Sequence, residues 1–251
     1  MDGKPQTTPE GQTLRTGRID VHSHLLPGVD DGCETADESL ACARELVAAG
    51  YTHSFCTPHV LPGFDNQTTS AVAQWTGALQ MRLAAARIPL TLMPGGEINL
   101  WPDLRQSLPN DRLTTYGGMG RHCLVDIWAD RLPDFFEPTI RWLMNKGLKV
   151  ILAHPERMKA VQSDHGLIGY FAELGLLLQG NLQCLSDPPG SPTRVAVEKF
   201  LTAGNYFLLG SDLHRLATLP PRLAGLRNAI SLIGDAAVDK LTISNPRLLL
   251  S

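Results

Sequence analysis

The 251-residue sequence lacks the features that mark several large protein classes. No apolar run approaches the roughly 20 residues that a membrane helix requires. The formal net charge is only −3, so no broadly basic surface indicates nucleic-acid binding. Residues 1–17 are polar, lack the apolar core of a signal peptide, and are predicted to form a loose tail. We therefore expect a cytoplasmic protein that neither inserts into a membrane nor binds nucleic acid.

Cysteine is scarce and follows no metal-binding or disulfide pattern. The five residues are Cys33, Cys42, Cys56, Cys123 and Cys184. Their number is odd and no pair has CxxC spacing, so we expect reduced, mostly buried thiols. His122-Cys123 begins like the HCx₅R motif of cysteine phosphatases, but Ala129 stands where that motif requires arginine. A cysteine nucleophile is therefore not predicted.

One local pattern recurs four times along the chain: an amphipathic helical segment ends at a glycine, and a short apolar run follows. Such a glycine supplies the left-handed turn that ends a helix, and the apolar runs are typical of strands covered on both faces. Alternating strands and helices indicate an α/β protein with a parallel sheet. Seven strands in a chain of this length predict a closed or nearly closed barrel, with an open doubly wound sheet as the alternative. The predicted strands are residues 18–24, 52–59, 90–98, 123–128, 149–154, 176–183 and 206–214.

Histidines and carboxylates gather at the carboxyl ends of these predicted strands, where parallel barrels build their sites. The residues concerned are His22, His24, Asp31 (preferred to Asp30), His59, Glu97, Asp126, His154, Asp212 and His214. Taken singly, each such residue is more often a helix cap or a surface group. Together they include five of the eight histidines, and this concentration at strand ends favours a common site. His53, His122 and His165 do not fit the pattern and are predicted to be structural or surface residues.

The spacing of these residues indicates a metal centre. Side chains two residues apart on a strand point to the same side, so His22 should converge with His24, and Asp212 with His214. Nitrogen and carboxylate ligands without thiolate suit Mn²⁺, Fe²⁺ or Zn²⁺. Nine such residues exceed the needs of one ion, so the sequence predicts two or three.

The motifs "DVHSH…DDG", "TPH", "GGEI…PD", "AHPER", "SDLH…PP" and "NPR" occur in this order between residues 19 and 247. In this the chain resembles the polymerase-and-histidinol-phosphatase (PHP) superfamily, most closely its bacterial capsule and exopolysaccharide tyrosine phosphatases of the CpsB/CapC type. The resemblance implies one domain over residues 18–251, folded as a distorted seven-stranded TIM-like barrel with three metals. By that resemblance the first metal would be held by His22, His24, Glu97 and Asp212, the second by Glu97, Asp126 and His154, and the third by Asp31, His59 and His214.

The resemblance also implies an activity. It points to a metal-dependent phosphomonoesterase, manganese being the expected metal, that removes phosphate from an autophosphorylated bacterial tyrosine kinase by attack of a metal-activated hydroxide. Arg157 would contact the phosphate, and His59 would help the leaving oxygen depart. The alternatives are a PHP enzyme for a small phosphoester such as histidinol phosphate or a nucleotide, an amidohydrolase barrel, and a metal-binding regulatory module without catalysis.

Two positions depart from the family pattern. Asp126 occupies a position that is usually glutamate in the tyrosine phosphatase branch, and its shorter side chain should weaken one metal site. Leu219 stands before the Pro-Pro pair where the branch often has arginine. Arg215 and Arg222 are the candidates to replace that cation in substrate binding.

Overall fold

The computed structural model describes residues 17–64 and 67–250, so the predicted tail lies outside the described residues except for Gly17. The strands in these ranges are β1 (Arg18–Ser23), β2 (Tyr51–Cys56), β3 (His59–Val60), β4 (Thr91–Pro94), β5 (Glu97–Asn99), β6 (His122–Asp126), β7 (Lys149–Ala153), β8 (Leu177–Asn181) and β9 (Leu208–Gly210). The helices are α1 (Ala36–Ala48), α2 (Thr69–Ala85), α3 (Leu104–Ser107), α4 (Phe136–Asn145), α5 (Lys159–Ser163), α6 (Leu167–Glu173), α7 (Pro192–Thr202), α8 (Leu219–Ile233), α9 (Asp235–Asp239) and α10 (Asn245–Arg247). Within these ranges, none of the helices has the length and apolarity needed to cross a bilayer.

The strands form two parallel sheets, ordered β1-β2-β4 and β3-β5-β6-β7-β8-β9. The predicted α/β class with parallel strands is thus confirmed, but residues 17–64 and 67–250 contain nine strand segments where seven were predicted. Two predicted strands are each divided, one by Thr57-Pro58 and the other by Gly95-Gly96. Pro58 has no amide hydrogen for the ladder, although its carbonyl still accepts a hydrogen bond from the Glu97 amide at 3.0 Å. A parallel bridge between Ser23 and Leu213 joins β1 to the segment after β9.

The helix boundaries follow local sequence chemistry. Thr35 caps α1 by accepting from the Glu38 amide at 3.2 Å, while the Glu38 carboxylate accepts from the Glu34 amide rather than from Thr35 itself. Ser191 likewise caps α7 ahead of Pro192. The four helix-ending glycines all have positive φ, for example 85° at Gly147, as the left-handed turn requires.

Side chains of alternate residues on the strands enter two different apolar clusters. On β6 and β7, Val125 and Val150 belong to the larger cluster, which includes buried residues of the helices, such as Leu143 of α4. Their neighbours Leu124 and Ile151 belong to a smaller cluster that also holds Phe55. Because both faces of these strands are covered by apolar groups, the polar residues are confined to the strand ends, where the candidate site lies.

Candidate metal centre

The predicted ligands come together because their strands are parallel and in register. His59 of β3 is paired directly with Glu97 of β5, and β5 is paired with β6, which ends at Asp126. His154 directly follows β7, and Asp212 lies two residues after β9. The carboxyl ends of separate strands thus bring side chains that are far apart in sequence to one location, as the sequence predicted.

Two of these residues hold an unusual backbone conformation. His154 has φ 31° and Asp212 has φ 52°, in the left-handed region that non-glycine residues rarely adopt. Hydrogen bonds hold both positions: the His154 amide donates to the Gln179 carbonyl at 2.7 Å and the Asp212 amide to the His22 carbonyl at 2.8 Å. Strain of this kind persists where neighbouring structure enforces it, and it is concentrated at functional sites.

Glu97 lies at the centre of the cluster and is 1% exposed. Its Oε1 is 3.2 Å from Nε2 of His154 and 3.4 Å from Nε2 of His22. Its Oε2 is 2.8 Å from Nδ1 of His59 and 3.6 Å from Nε2 of His24. Nevertheless, neither oxygen has a hydrogen-bond partner of good geometry among the described residues.

A buried carboxylate with two unbonded oxygens and four nearby imidazoles is costly unless a cation is present. Three groups of side chains in the described residues each bring ligand atoms within 4.8 Å of one another. The groups are His24, Asp31, His59 and His214; His22, His24 and Asp212; and His22, Glu97 and His154. The donor set therefore fits divalent metal ions.

Eight of the nine predicted ligands belong to these groups, and Asp126 is the exception. The Oδ1 of Asp126 is 3.7 Å from Nδ1 of His154 and accepts a hydrogen bond from the Ile127 amide at 2.7 Å. Its Oδ2 accepts from Nδ2 of Asn99 at 3.2 Å. The aspartate side chain thus reaches the edge of the cluster but not its centre.

The carboxylates and imidazoles of the cluster stabilise each other's charged forms. Burial alone would raise the pKa of Glu97, but the charge of His22 and the ring nitrogens of His154 and His59 hold it well below its usual range. Burial alone would lower the pKa of His59 and His154, but neighbouring carboxylates outweigh it. Asp31 and Glu97 raise the pKa of His59 to about 10. Asp126 and Glu97 raise the pKa of His154 to about 9. In the absence of metal, protons on the histidines thus balance the carboxylates, and a metal ion would replace these protons.

Several buried groups behind the ligands orient them. Gln179 Oε1 lies 2.9 Å from Nδ1 of His22, and Asp30 Oδ2 lies 2.6 Å from Nδ1 of His24. Asn181 donates to Oδ2 of Asp212 at 2.8 Å. These contacts agree with the preference for Asp31 over Asp30 as a ligand, because Asp30 is engaged behind His24. Gln179 and Asn181 were missed by the sequence analysis, although both are polar residues near the end of a predicted strand.

The three candidate substrate-binding arginines have different environments. Arg157 is half-exposed, and its Nη1 donates to Oδ2 of Asp212 at 2.8 Å. Arg215 is on the surface and forms an ion pair with Glu34. Arg222 is buried and donates to the backbone carbonyls of Ser211 and Asp212 at 3.0 and 2.9 Å, which fixes the loop after β9. Leu219 is an apolar residue buried in the core, and the Arg222 guanidinium is engaged by backbone carbonyls. Neither position therefore presents a cation to the cluster.

The remaining histidines are outside the cluster. His53 is buried beside the Thr52 hydroxyl, His122 is buried at the start of β6, and His165 lies 3.2 Å from the Lys199 amine. None of the three belongs to a ligand group within the described part of the chain.

A cavity of about 500 Å³ opens beside the cluster. Its lining consists of Asp126, Ile127, Trp128, Ala129, Asp130, His154, Arg157, Met158 and Lys159. Two chain segments thus form it, one after β6 and one after β7. Because Asp126 and His154 belong to both the cavity and the predicted ligand set, a molecule bound there would reach the metal centre.

Comparison with known proteins agrees with this geometry. A model of the family described as "Capsular polysaccharide synthesis, CpsB/CapC" matches residues 18–251. Tyrosine-protein phosphatase YwqE of Bacillus subtilis is 28% identical over 200 residues, which are 80% of this chain and 78% of YwqE. Tyrosine-protein phosphatase CpsB of Streptococcus pneumoniae is 24% identical over 237 residues, 91% of this chain and 96% of CpsB.

Solved structures give the same result. A chain from the crystal structures of YwqE from Bacillus subtilis and CpsB from Streptococcus pneumoniae, described as unique metal-dependent tyrosine phosphatases, aligns with a TM-score of 0.83 and 27% identity. The alignment covers 92% of this chain and 94% of that chain. The phosphotriesterase homology protein of Escherichia coli aligns with a TM-score of 0.58 at 14% identity over 94% of this chain and 99% of its own, a likeness of fold alone.

Proposed function

The chain belongs to the CpsB/CapC family of capsular polysaccharide synthesis proteins, and from this we propose that it is a metal-dependent protein-tyrosine phosphatase. The observation that carries the proposal is the buried Glu97, whose two oxygens have no hydrogen-bond partner of good geometry in the described part of the chain while four histidines surround them. The similar proteins YwqE and CpsB are named tyrosine-protein phosphatases. A metal centre next to an open cavity with a cationic arginine suits a phosphate-bearing substrate.

We propose that two or three divalent ions, with Mn²⁺ as the metal, are held by the three ligand groups, with Asp126 as an additional, weaker ligand. When bound, such ions supply a hydroxide near neutral pH and positive charge for the phosphoryl oxygens. The chain's contribution is to fix the ligands: Gln179 and Asp30 determine which nitrogen of His22 and His24 faces the centre.

Arg157 is proposed to bind the phosphoryl oxygens of the substrate. Its guanidinium lines the cavity and is held by Asp212, so it is already oriented when the substrate arrives. A planar guanidinium can donate two hydrogen bonds to one phosphate. These hydrogen bonds strengthen as negative charge develops on the phosphoryl oxygens in the transition state. Arg215 and Arg222 are given no direct role, since one is paired with Glu34 and the other with backbone carbonyls.

The leaving group is proposed to be a tyrosine phenolate. With a pKa of about 10, it departs without a strong acid. Both ring nitrogens of His59 face carboxylates, Asp31 at 3.3 Å and Glu97 at 2.8 Å. We therefore assign His59 to the ligand set rather than to protonation of the leaving oxygen.

The proposed substrate is a phosphotyrosine-bearing protein, and the tail of a bacterial tyrosine kinase is the specific candidate. Residues 18–251 are proposed to act as one domain in which the two sheets form a distorted barrel, in the cytoplasm. These assignments follow from the family resemblance rather than from a contact within the chain.

The experiment compares the wild-type protein with Glu97→Gln. Metal content is measured by elemental analysis, and phosphate release is measured from a phosphotyrosine peptide and from histidinol phosphate, with Mn²⁺ and with EDTA. We expect two to three metals in the wild type, peptide hydrolysis that EDTA abolishes, and loss of both metal and activity in Glu97→Gln. Hydrolysis of histidinol phosphate alone would favour a small-molecule phosphatase, and metal binding without turnover would contradict catalysis.

A further inference from the structure

Trp128 is the most exposed of the large apolar side chains in the described residues, at 71%. A single exposed apolar residue is ordinary on a protein surface. Trp128, however, lies two residues after the end of β6 at Asp126 and lines the cavity beside the candidate metal centre. Its ring meets that of His59 edge-on, with centroids 5.7 Å apart and an interplanar angle of 84°. One indole thus contacts a predicted metal ligand and also faces the cavity.

The cavity combines apolar walls with a cationic group. Ile127 and Met158 are buried apolar residues that line it, and Arg157 is its half-exposed cation. Lys159 and Asp130 form an ion pair at 2.7 Å among the lining residues. The volume of about 500 Å³ lies within the range of small-molecule sites. This arrangement suits a ligand with an anionic head and a flat apolar body.

We propose that Trp128, together with Ile127 and Met158, forms a subsite for the aromatic ring of the substrate, so that Trp128 determines selectivity for aryl over alkyl phosphomonoesters. The identification of this aromatic ring with that of phosphotyrosine rests on the proposed function. A single oxygen joins the ring of phosphotyrosine to phosphorus, so a phosphate bound at Arg157 and the metal centre places the ring against the nearest wall. A phosphoserine side chain has no ring and gains nothing from that wall.

The test uses two inert ligands that share a head group, phenylphosphonate and methylphosphonate. Their affinities are measured by calorimetry on the Mn²⁺-loaded wild type, Trp128→Ala and Trp128→Phe. Since an aromatic contact contributes a modest free energy, Trp128→Ala should weaken phenylphosphonate binding by about three- to tenfold and leave methylphosphonate binding unchanged. Trp128→Phe, which keeps an aromatic face, should retain most of the preference. Met81→Ala is the control, because Met81 is 70% exposed on α2, away from the cavity.

Kinetics provide the second readout. In Trp128→Ala, KM for a phosphotyrosine peptide should rise by the same factor, with little change in kcat. If both phosphonates weaken equally, or if neither changes, the ring subsite is wrong. If the Trp128-dependent preference is present but wild-type protein hydrolyses no phosphotyrosine peptide, the subsite is supported and the proposed function fails.

Discussion

Gln179 is the residue whose replacement tests the metal centre most specifically. It is fully buried on β8, and its Nε2 donates to the Gly180 carbonyl at 2.7 Å. The amide orientation therefore leaves Oε1 as an acceptor, 2.9 Å from Nδ1 of His22. With its proton on Nδ1, a neutral His22 would offer the lone pair of Nε2 to a metal ion shared with Glu97 and Asp212, whose oxygens each lie 3.4 Å from Nε2. Gln179 thus selects the tautomer in which His22 can bind metal.

Gln179→Leu keeps a side chain of similar volume but removes this acceptor. Loss of such an orienting partner typically reduces metal affinity by about 10- to 100-fold, or about 1.4 to 2.7 kcal/mol. We expect a decrease of this size in Mn²⁺ affinity, because His22 serves two of the three ligand groups. Gln179→Glu retains an acceptor facing Nδ1 and should lose less affinity than Gln179→Leu, although its second oxygen faces the Gly180 carbonyl where the amide nitrogen donated.

The assay is calorimetric titration of chelator-stripped protein with Mn²⁺, with Tm measured in the absence of metal. The matched control is Gln80→Leu, since Gln80 also makes two hydrogen bonds, to the Leu90 carbonyl at 3.1 Å and from the Leu92 amide at 2.7 Å, outside the cluster. Both variants should lose stability, but only Gln179→Leu should lose Mn²⁺ affinity. Equal Mn²⁺ affinities in the two leucine variants would refute the reasoning.

Three further predictions concern the same centre. All five cysteines are buried, so iodoacetamide should leave phosphatase activity within about twofold of the untreated protein, while EDTA abolishes it; the reverse pattern would indicate thiol chemistry. Ligation requires neutral imidazoles, and without metal the pKa of His24 is raised well above its usual value, while those of His59 and His154 are raised to about 10 and about 9. Mn²⁺ binding at neutral pH should therefore release about three protons and tighten as the pH rises toward these values. Titration in buffers of different ionisation enthalpy measures this release, and identical heats in all buffers would contradict it. Asp126→Glu should extend the carboxylate toward the cluster and increase the Mn²⁺ retained through gel filtration, whereas unchanged retention would place residue 126 outside the metal site.

The sequence predicted that these side chains would lie together, because their positions follow from strand direction. Parallel strands end on one side of the sheet, so His154 after β7 and Asp212 after β9 had to lie near His22. The helix boundaries were similarly predictable, since Thr35 and Gly147 act through contacts with their own helices. In each of these cases, local chemistry or a general rule of topology determines the outcome.

Other features depend on tertiary contacts that no spacing encodes. The division of the second and third predicted strands follows from Pro58 and from Gly95-Gly96, which the periodicity of apolar residues does not register. Arg222 was a candidate substrate-binding cation in the sequence, yet α8 places it under the loop after β9, where backbone carbonyls accept its hydrogen bonds. Gln179 is two residues before Asn181 on β8, and only the fold places its amide behind His22.

The two oxygens of Asp212 have different partners, and this division connects the two parts of the proposed site. Its Oδ1 is 3.4 Å from Nε2 of His22 and 3.6 Å from Nε2 of His24, within the ligand cluster. Its Oδ2 accepts hydrogen bonds from Arg157 and Asn181, both at 2.8 Å. The left-handed backbone at Asp212 holds the carboxylate between these groups. One side chain therefore connects the ligand cluster to the arginine proposed to bind phosphate, so that a metal ion in the cluster and the Arg157 guanidinium would be positioned together for attack on one phosphorus.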